Sequence, residues 1–150
     1  MSHTDTDLGE VVITRTYDAP RELVFACLTT PEHLTHFWGP PGVSTPLERI
    51  VLDLRPGGRF ETVMVNDATG EEYASGGVYI EIDPPAKLVW GETGAADGMT
   101  TTTTFTDLGD GRTEVVIHQQ HVPAMYRSPE ALAGFNASLD RFVEYLTTIV

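Results

Sequence analysis

Few residues in this chain have types and spacings that could do chemistry, and the best placed are Glu92 and His121, a carboxyl and an imidazole at the ends of two strand-like runs. Facing each other they would form a general acid–base pair, which requires a titratable group held within hydrogen-bond reach of its substrate. His121 also stands directly before Val122-Pro123, where a strand must end, so a solvated loop histidine is an equal reading. His33 and His36 are three apart, the spacing of a metal pair on a helix, but no third ligand lies near in sequence and Glu32 points elsewhere on such a helix. No metal site is expected. The single Cys27 excludes an internal disulfide and any multi-cysteine metal centre, and its place on an apolar helical stripe predicts an inert core thiol. Ser44, Ser75 and Ser138 lack a Gly-x-Ser-x-Gly context. Gly57-Gly58 and Gly76-Gly77 lack a phosphate-loop pattern and a following helix, and read as turn and bulge residues. These residues do not establish an enzyme, and no cofactor is expected.

The elements that must position them follow from periodicity. The longest signal is an amphipathic helix over Ser128 to Val150, with Leu132, Phe135, Leu139, Phe142, Val143, Leu146 and Ile149 at three-and-four spacing on one face. Near the start, Glu10 to Tyr17 reads as a strand, preceded by a polar, disordered segment over residues 1–9. Pro20, near a first helical position, opens a helix whose stripe is Leu23, Val24, Cys27 and Leu28. Thr30-Pro31-Glu32 opens a second, short helix with Leu34, Phe37 and Trp38 on one side, ended by Gly39-Pro40-Pro41-Gly42. Six strands are predicted next: Leu47 to Leu54, Gly58 to Val65, Tyr73 to Ile82, Lys87 to Glu92, Met99 to Thr106 and Arg112 to His121. Their short turns favour antiparallel neighbours, since a parallel crossover needs about a dozen residues. The predicted order is one strand, two helices, six strands and a closing helix, an α+β domain over residues 10–150 in which a curved antiparallel sheet covers the helix.

Composition narrows the partners. The chain has 150 residues, 41% of them hydrophobic, enough for one ordinary core. A formal net charge of −13 argues against nucleic acid and anionic membranes, which require clustered Lys and Arg. No apolar run reaches a spanning length and the N-terminus has no secretory pattern, so a cytoplasmic location is expected.

Several segments resemble a known family. They are Asp18-Ala19-Pro20-Arg21-Glu22-Leu23-Val24-Phe25, Thr30-Pro31-Glu32-His33-Leu34 with Phe37-Trp38-Gly39-Pro40, Asp53-Leu54-Arg55-Pro56-Gly57-Gly58-Arg59-Phe60, Gly77-Val78-Tyr79-Ile80-Glu81-Ile82, and Gly134-Phe135 with Ser138-Leu139-Asp140. With the element order, they resemble the SRPBCC superfamily, whose fold is the helix-grip (START-like, Bet v 1-like) fold, in the branch related to the C-terminal domain of the heat-shock protein 90 ATPase activator. Phe37-Trp38 stands where that family usually has paired tryptophans, and Gly134-Phe135 where it usually has Gly-Trp. The resemblance implies a cavity between the concave sheet face and the long helix, used across the superfamily for lipids, polyketides, hormones and other hydrophobic molecules. Fold alone does not choose among them.

Strand parity then assigns the cavity-facing side chains, because successive residues of a strand point to opposite faces. In the last strand the inward set is Val115, Ile117, Gln119 and His121; in the one before it, Met99, Thr101, Thr103 and Phe105. Leu88, Trp90 and Glu92 form a third set, Phe60, Thr62 and Met64 a fourth, and Val78, Ile80 and Ile82 a fifth. The helix contributes Leu132, Phe135, Leu139 and Phe142, and Phe37-Trp38 an entrance. A single bulge would invert any of these assignments beyond it, exchanging Gln119 and His121 for His118 and Gln120 in the last strand.

The expected function is to enclose a hydrophobic small molecule, aromatic ones included, for carriage, sensing or sequestration, as a monomer or a homodimer. Two other readings follow from the resemblance: a polyketide cyclase or dehydratase acting through Glu92 and His121, and a co-chaperone module. The co-chaperone reading ranks last, on the expectation that the companion N-terminal domain of such activators is lacking.

Overall fold

The computed structural model describes residues 8–91 and 98–149. In chain order the elements are β1 (Leu8–Tyr17), α1 (Arg21–Thr29), α2 (Pro31–Leu34), β2 (Val43–Ser44), β3 (Val51–Leu52), β4 (Arg59–Asn66), β5 (Glu72–Asp83), β6 (Lys87–Gly91), β7 (Thr100–Gly109), β8 (Arg112–Pro123) and α3 (Pro129–Ile149). Short 3-10 turns occupy Leu47–Arg49 and Ala124–Tyr126. No described helix is long and apolar enough to cross a membrane.

The eight strands form one curved antiparallel sheet in the order β1-β8-β7-β6-β5-β4-β2, with β3 also paired to β4; the sheet does not close on itself. This is the helix-grip architecture, with α3 lying along the concave face. The first and last strands are neighbours, from Tyr17 opposite Thr113 to Leu8 opposite Pro123. Leu8 and Gly9 therefore belong to the sheet rather than to the polar start.

The predicted strand Leu47 to Leu54 is the largest departure. Pro46 starts a 3-10 turn in which the Arg49 amide donates to the Pro46 carbonyl, and only Val51–Leu52 pair with β4. β2, two residues long, is too short for any periodic signal.

One end of the layer between sheet and helix is solid. α1 lies against β7 and β8, with Phe25 edge-on to Phe105 at 5.3 Å and the Thr113 hydroxyl donating to the Ala19 carbonyl at 2.7 Å. Phe142 of α3 packs on Tyr17 at 5.0 Å and stacks on Phe37 at 4.4 Å. The buried core joins Val24, Cys27, Leu34, Phe37, Phe142 and Leu146 into one cluster with the strands. On α3 the fully buried residues are Phe142 and Leu146, both in its C-terminal half.

Two bulges reset parity. In β5, Tyr79 faces Trp90 and Glu81 faces Val89, so Ile80 is the extra residue. In β8, Gln119 pairs with Val11 but Val122 pairs with Gly9, leaving one extra residue near His121, whose φ of 58° is the left-handed conformation of a bulge.

Candidate ligand cavity

Where α3 leaves the solid end it spans a hollow of about 550 Å³ between its N-terminal half and the sheet. That size lies in the range of small-molecule sites. The floor is built by alternate residues of successive strands: Phe60 and Met64 on β4, Ser75 on β5, Leu88 and Trp90 on β6, Thr101 and Thr103 on β7, and Val115, Ile117 and Gln119 on β8. The roof is Ala131, Gly134, Phe135, Ser138, Leu139 and Phe142 of α3. Tyr17, Leu28, Phe37, Trp38, Gly39, Pro40 and Tyr126 complete the wall.

The hollow exists because the helix carries small side chains over it. Ala131, Gly134 and Ser138 recur at three-and-four spacing on the face where larger residues would reach the sheet. A methyl group at Gly134 would meet nothing within 4 Å.

The floor carries an aromatic platform. Trp90 on β6 stacks on Phe60 of β4 across the intervening strand, with ring centroids 4.7 Å apart and planes 11° apart. Trp38 meets Phe60 edge-on at 5.7 Å. The stack depends on Gly77, which pairs with Phe60 in β5. A side chain at Gly77 would run into the Gly91 carbonyl oxygen, with the indole of Trp90 at contact distance beside it. Gly77 is therefore a close-approach residue inside a strand, rather than the turn or bulge residue expected from sequence.

The polar side of the cavity is small. Gln119 Nε2 donates to Thr101 Oγ1 at 3.3 Å. Thr101 and Thr103 are both buried. Tyr17, at the other end of the wall against Phe142, is buried, which pushes its hydroxyl pKa up to about 12, so it stays a neutral phenol.

The structure brings together most of the residues assigned by parity: Phe37, Trp38, Phe60, Met64, Leu88, Trp90, Thr101, Thr103, Val115, Ile117, Gln119, Phe135, Leu139 and Phe142 all line the cavity. Others do not. Ile80 is 52% exposed because it lies on the outer face with Val78, and Tyr79, opposite Trp90, takes the inward place. Val78 shares the outer face with its neighbour Arg59. Phe105 is buried in the solid end against Phe25, and Thr62 is buried without reaching the wall. Met99 and Leu132 are half-buried outside the wall. His121 is exposed, turned out by the β8 bulge, while parity holds as far as Gln119. Glu92 lies outside the described residues.

Sequence reasoning missed Tyr17, Leu28, Gly39, Pro40, Ser75, Tyr126, Ala131, Gly134 and Ser138 as wall residues. The three small helix residues were accessible from the same helical spacing as Phe135 and Leu139. Ser75 required the register, which sets it opposite Thr62.

The other chemically suggestive residues serve packing or surface pairing. Burial raises the Cys27 thiol pKa to about 11, which suppresses the reactive thiolate. The Tyr145 hydroxyl is hydrogen-bonded to His33 Nδ1 at 2.6 Å, and the same ring stacks on His36 at 4.9 Å. His118 donates from Nε2 to the Glu10 carboxylate at 2.6 Å on the outer face. Among the described residues, no group of three or more His, Cys, Asp and Glu side chains is placed to hold a metal ion.

The sequence matches the family model described as Activator of Hsp90 ATPase homolog 1-like protein over residues 18–147. A comparison with curated proteins finds no significant match. Among solved structures, a protein from Nitrosomonas europaea is similar at TM-score 0.81 and 23% identity, covering 98% of this chain and 99% of its own. One from Rhodobacter sphaeroides is similar at TM-score 0.83 and 17% identity, with 95% of each chain covered. The AHSA1 protein from Silicibacter pomeroyi is similar at 0.77 and 22% identity, covering 93% of this chain and 98% of its own. At these identities the structural likeness speaks for the fold.

Proposed function

The chain belongs to the Activator of Hsp90 ATPase homolog 1-like family, and within that family we propose that it is a binding protein enclosing a hydrophobic, aromatic small molecule for carriage, sensing or sequestration. The observation that carries this reading is the hollow of about 550 Å³ walled by Phe60, Trp90, Trp38, Phe135 and Leu139. Flat rings are favoured because Phe60 and Trp90 present a ready stacking surface. The family name points also to a chaperone partner, but a protein-docking face needs no void behind it, so the cavity favours the ligand. The acid–base alternative loses support with His121, which does not line the cavity.

A thermal-shift screen of flat aromatic compounds, with native mass spectrometry of the purified protein for a co-purifying ligand, tests the proposal. A ligand at a hundredfold excess over its Kd should stabilise the fold by about 2.7 kcal/mol. It should also change Trp fluorescence, and Trp90→Leu should weaken binding more than folding. No hit in the screen and no co-purifying mass would refute the reading.

A further inference from the structure

The cavity wall restricts the charge of its guest. Among the described residues, no Asp, Glu, Lys, Arg or His lines it. Arginines of the surrounding framework are engaged elsewhere. Arg15 binds the Asp140 carboxylate at 2.9 Å and the Asn136 side chain at 3.1 Å, and Arg141 donates to the carbonyls of Gly39, Pro40 and Val43 at 2.8–3.1 Å. The residues outside the described ones contain no Lys or Arg. An anionic group in the cavity would lose its hydration with no cation to replace it, in a protein whose net charge is already −13. A cationic group would find aromatic faces but no carboxylate in the described wall.

The polar corner has a complementary chemistry. A glutamine amide has two N–H donors and an oxygen with two lone pairs, and a threonine hydroxyl both donates and accepts. One Gln119 N–H is taken by Thr101 Oγ1. The Gln119 carbonyl oxygen and the Thr101 O–H remain to meet a guest, an acceptor and a donor side by side. Half-buried Gln119 and buried Thr101 favour a partner that satisfies both.

Resting on the binding reading above, we infer that the ligand is an uncharged aromatic molecule whose neutral donor–acceptor group, such as an amide or hydroxyl, is held by Gln119 and Thr101, and that carboxylates are excluded. Pyrene, pyrenecarboxamide and pyrenecarboxylate test this at neutral pH, binding being read from pyrene fluorescence with the wild-type protein. The amide and carboxylate are nearly isosteric, so their ratio isolates charge. The amide should bind about tenfold or more tighter than the carboxylate, and in Gln119→Leu the amide should fall to the level of pyrene itself. Gln119→Arg, which supplies the missing cation, should raise carboxylate affinity above that of the amide. Equal wild-type binding of amide and carboxylate would overturn the inference while leaving the binding reading intact. An amide preference that survives in folded Gln119→Leu would overturn the assignment to Gln119, and failure of all three compounds to bind would remove the binding reading and this inference together. The wild-type ratio decides on charge even where a variant does not fold.

Discussion

The two halves of α3 run along the same sheet and meet it in opposite ways. The C-terminal half inserts Phe142 and Leu146 into a packed core, where Phe142 touches both Tyr17 and Phe37. The N-terminal half presents Ala131, Gly134 and Ser138 to the sheet and leaves Phe135 and Leu139 as partly buried edges of a cavity. A single amphipathic helix thus anchors the fold at one end and roofs a void at the other. The difference lies in side-chain volume at successive turns of one face, while hydrophobicity along that face is continuous. Core packing holds the void open, because interiors are close-packed and a helix fixed at one end cannot sink to fill a gap at the other.

Substitutions should break this contrast in a graded way. The largest effect is expected from Phe142→Ala, which removes a fully buried ring and should cost about 3–5 kcal/mol of stability in chemical denaturation. A loss of less than about 1 kcal/mol would mean that the solid end is not the anchor. Gly77→Ala should cost roughly 2–3 kcal/mol by forcing β5 away from the Gly91 carbonyl. It should also separate Trp90 from Phe60 and alter the tryptophan fluorescence; a variant with unchanged stability and emission would refute the close-approach role.

Gly134→Leu, at the hollow end, should have the opposite sign. Replacing glycine in a helix interior by a good helix former should add about 1 kcal/mol, and the new side chain enters the open space beneath. Ligand affinity should fall as stability rises. Stability and affinity moving together at this position would contradict the division of labour along α3.

The smallest effect concerns Cys27, at the solid end. Its pKa rises with burial from 9.0 to about 11, so the folded state holds the thiol proton more tightly than the unfolded chain. The associated stability is fully present below pH 9.0 and is lost as pH rises toward about 11. Comparing wild type with Cys27→Ala in denaturation over that range should show a steeper alkaline decline in the wild type, and a thiol reagent at neutral pH should label Cys27 only when the protein unfolds. Rapid labelling of the folded protein would show that this end opens.

Periodicity made the long elements legible. The α3 helix is found within one residue of each expected end, and β4 to β8 lie close to the expected ranges, because long runs repeat their pattern several times. Parity worked for Phe60 and Met64, for Leu88 and Trp90, and for Val115, Ile117 and Gln119, where the strands are regular. It failed at His121, where one extra residue on β8 flips the face, and at Val78 and Ile80, where the register puts Gly77 and Tyr79 of β5 inward instead. Val78-Tyr79-Ile80 offers an apolar or aromatic residue at every position, so no alternation could show which side was buried.

What the sequence determined by itself is the order of the long elements, the helix that must be covered, and an apolar, acidic chain without clustered base. Those features are written in local patterns and composition. Only the tertiary structure decided that the helix is packed at one end and hollow at the other, that Gly77 lets two aromatic rings stack across a strand, and that His121 leaves the site. Each of these depends on which residues oppose one another across strands, and a one-residue shift in register changes a side chain's face without changing the pattern from which the strand was recognised.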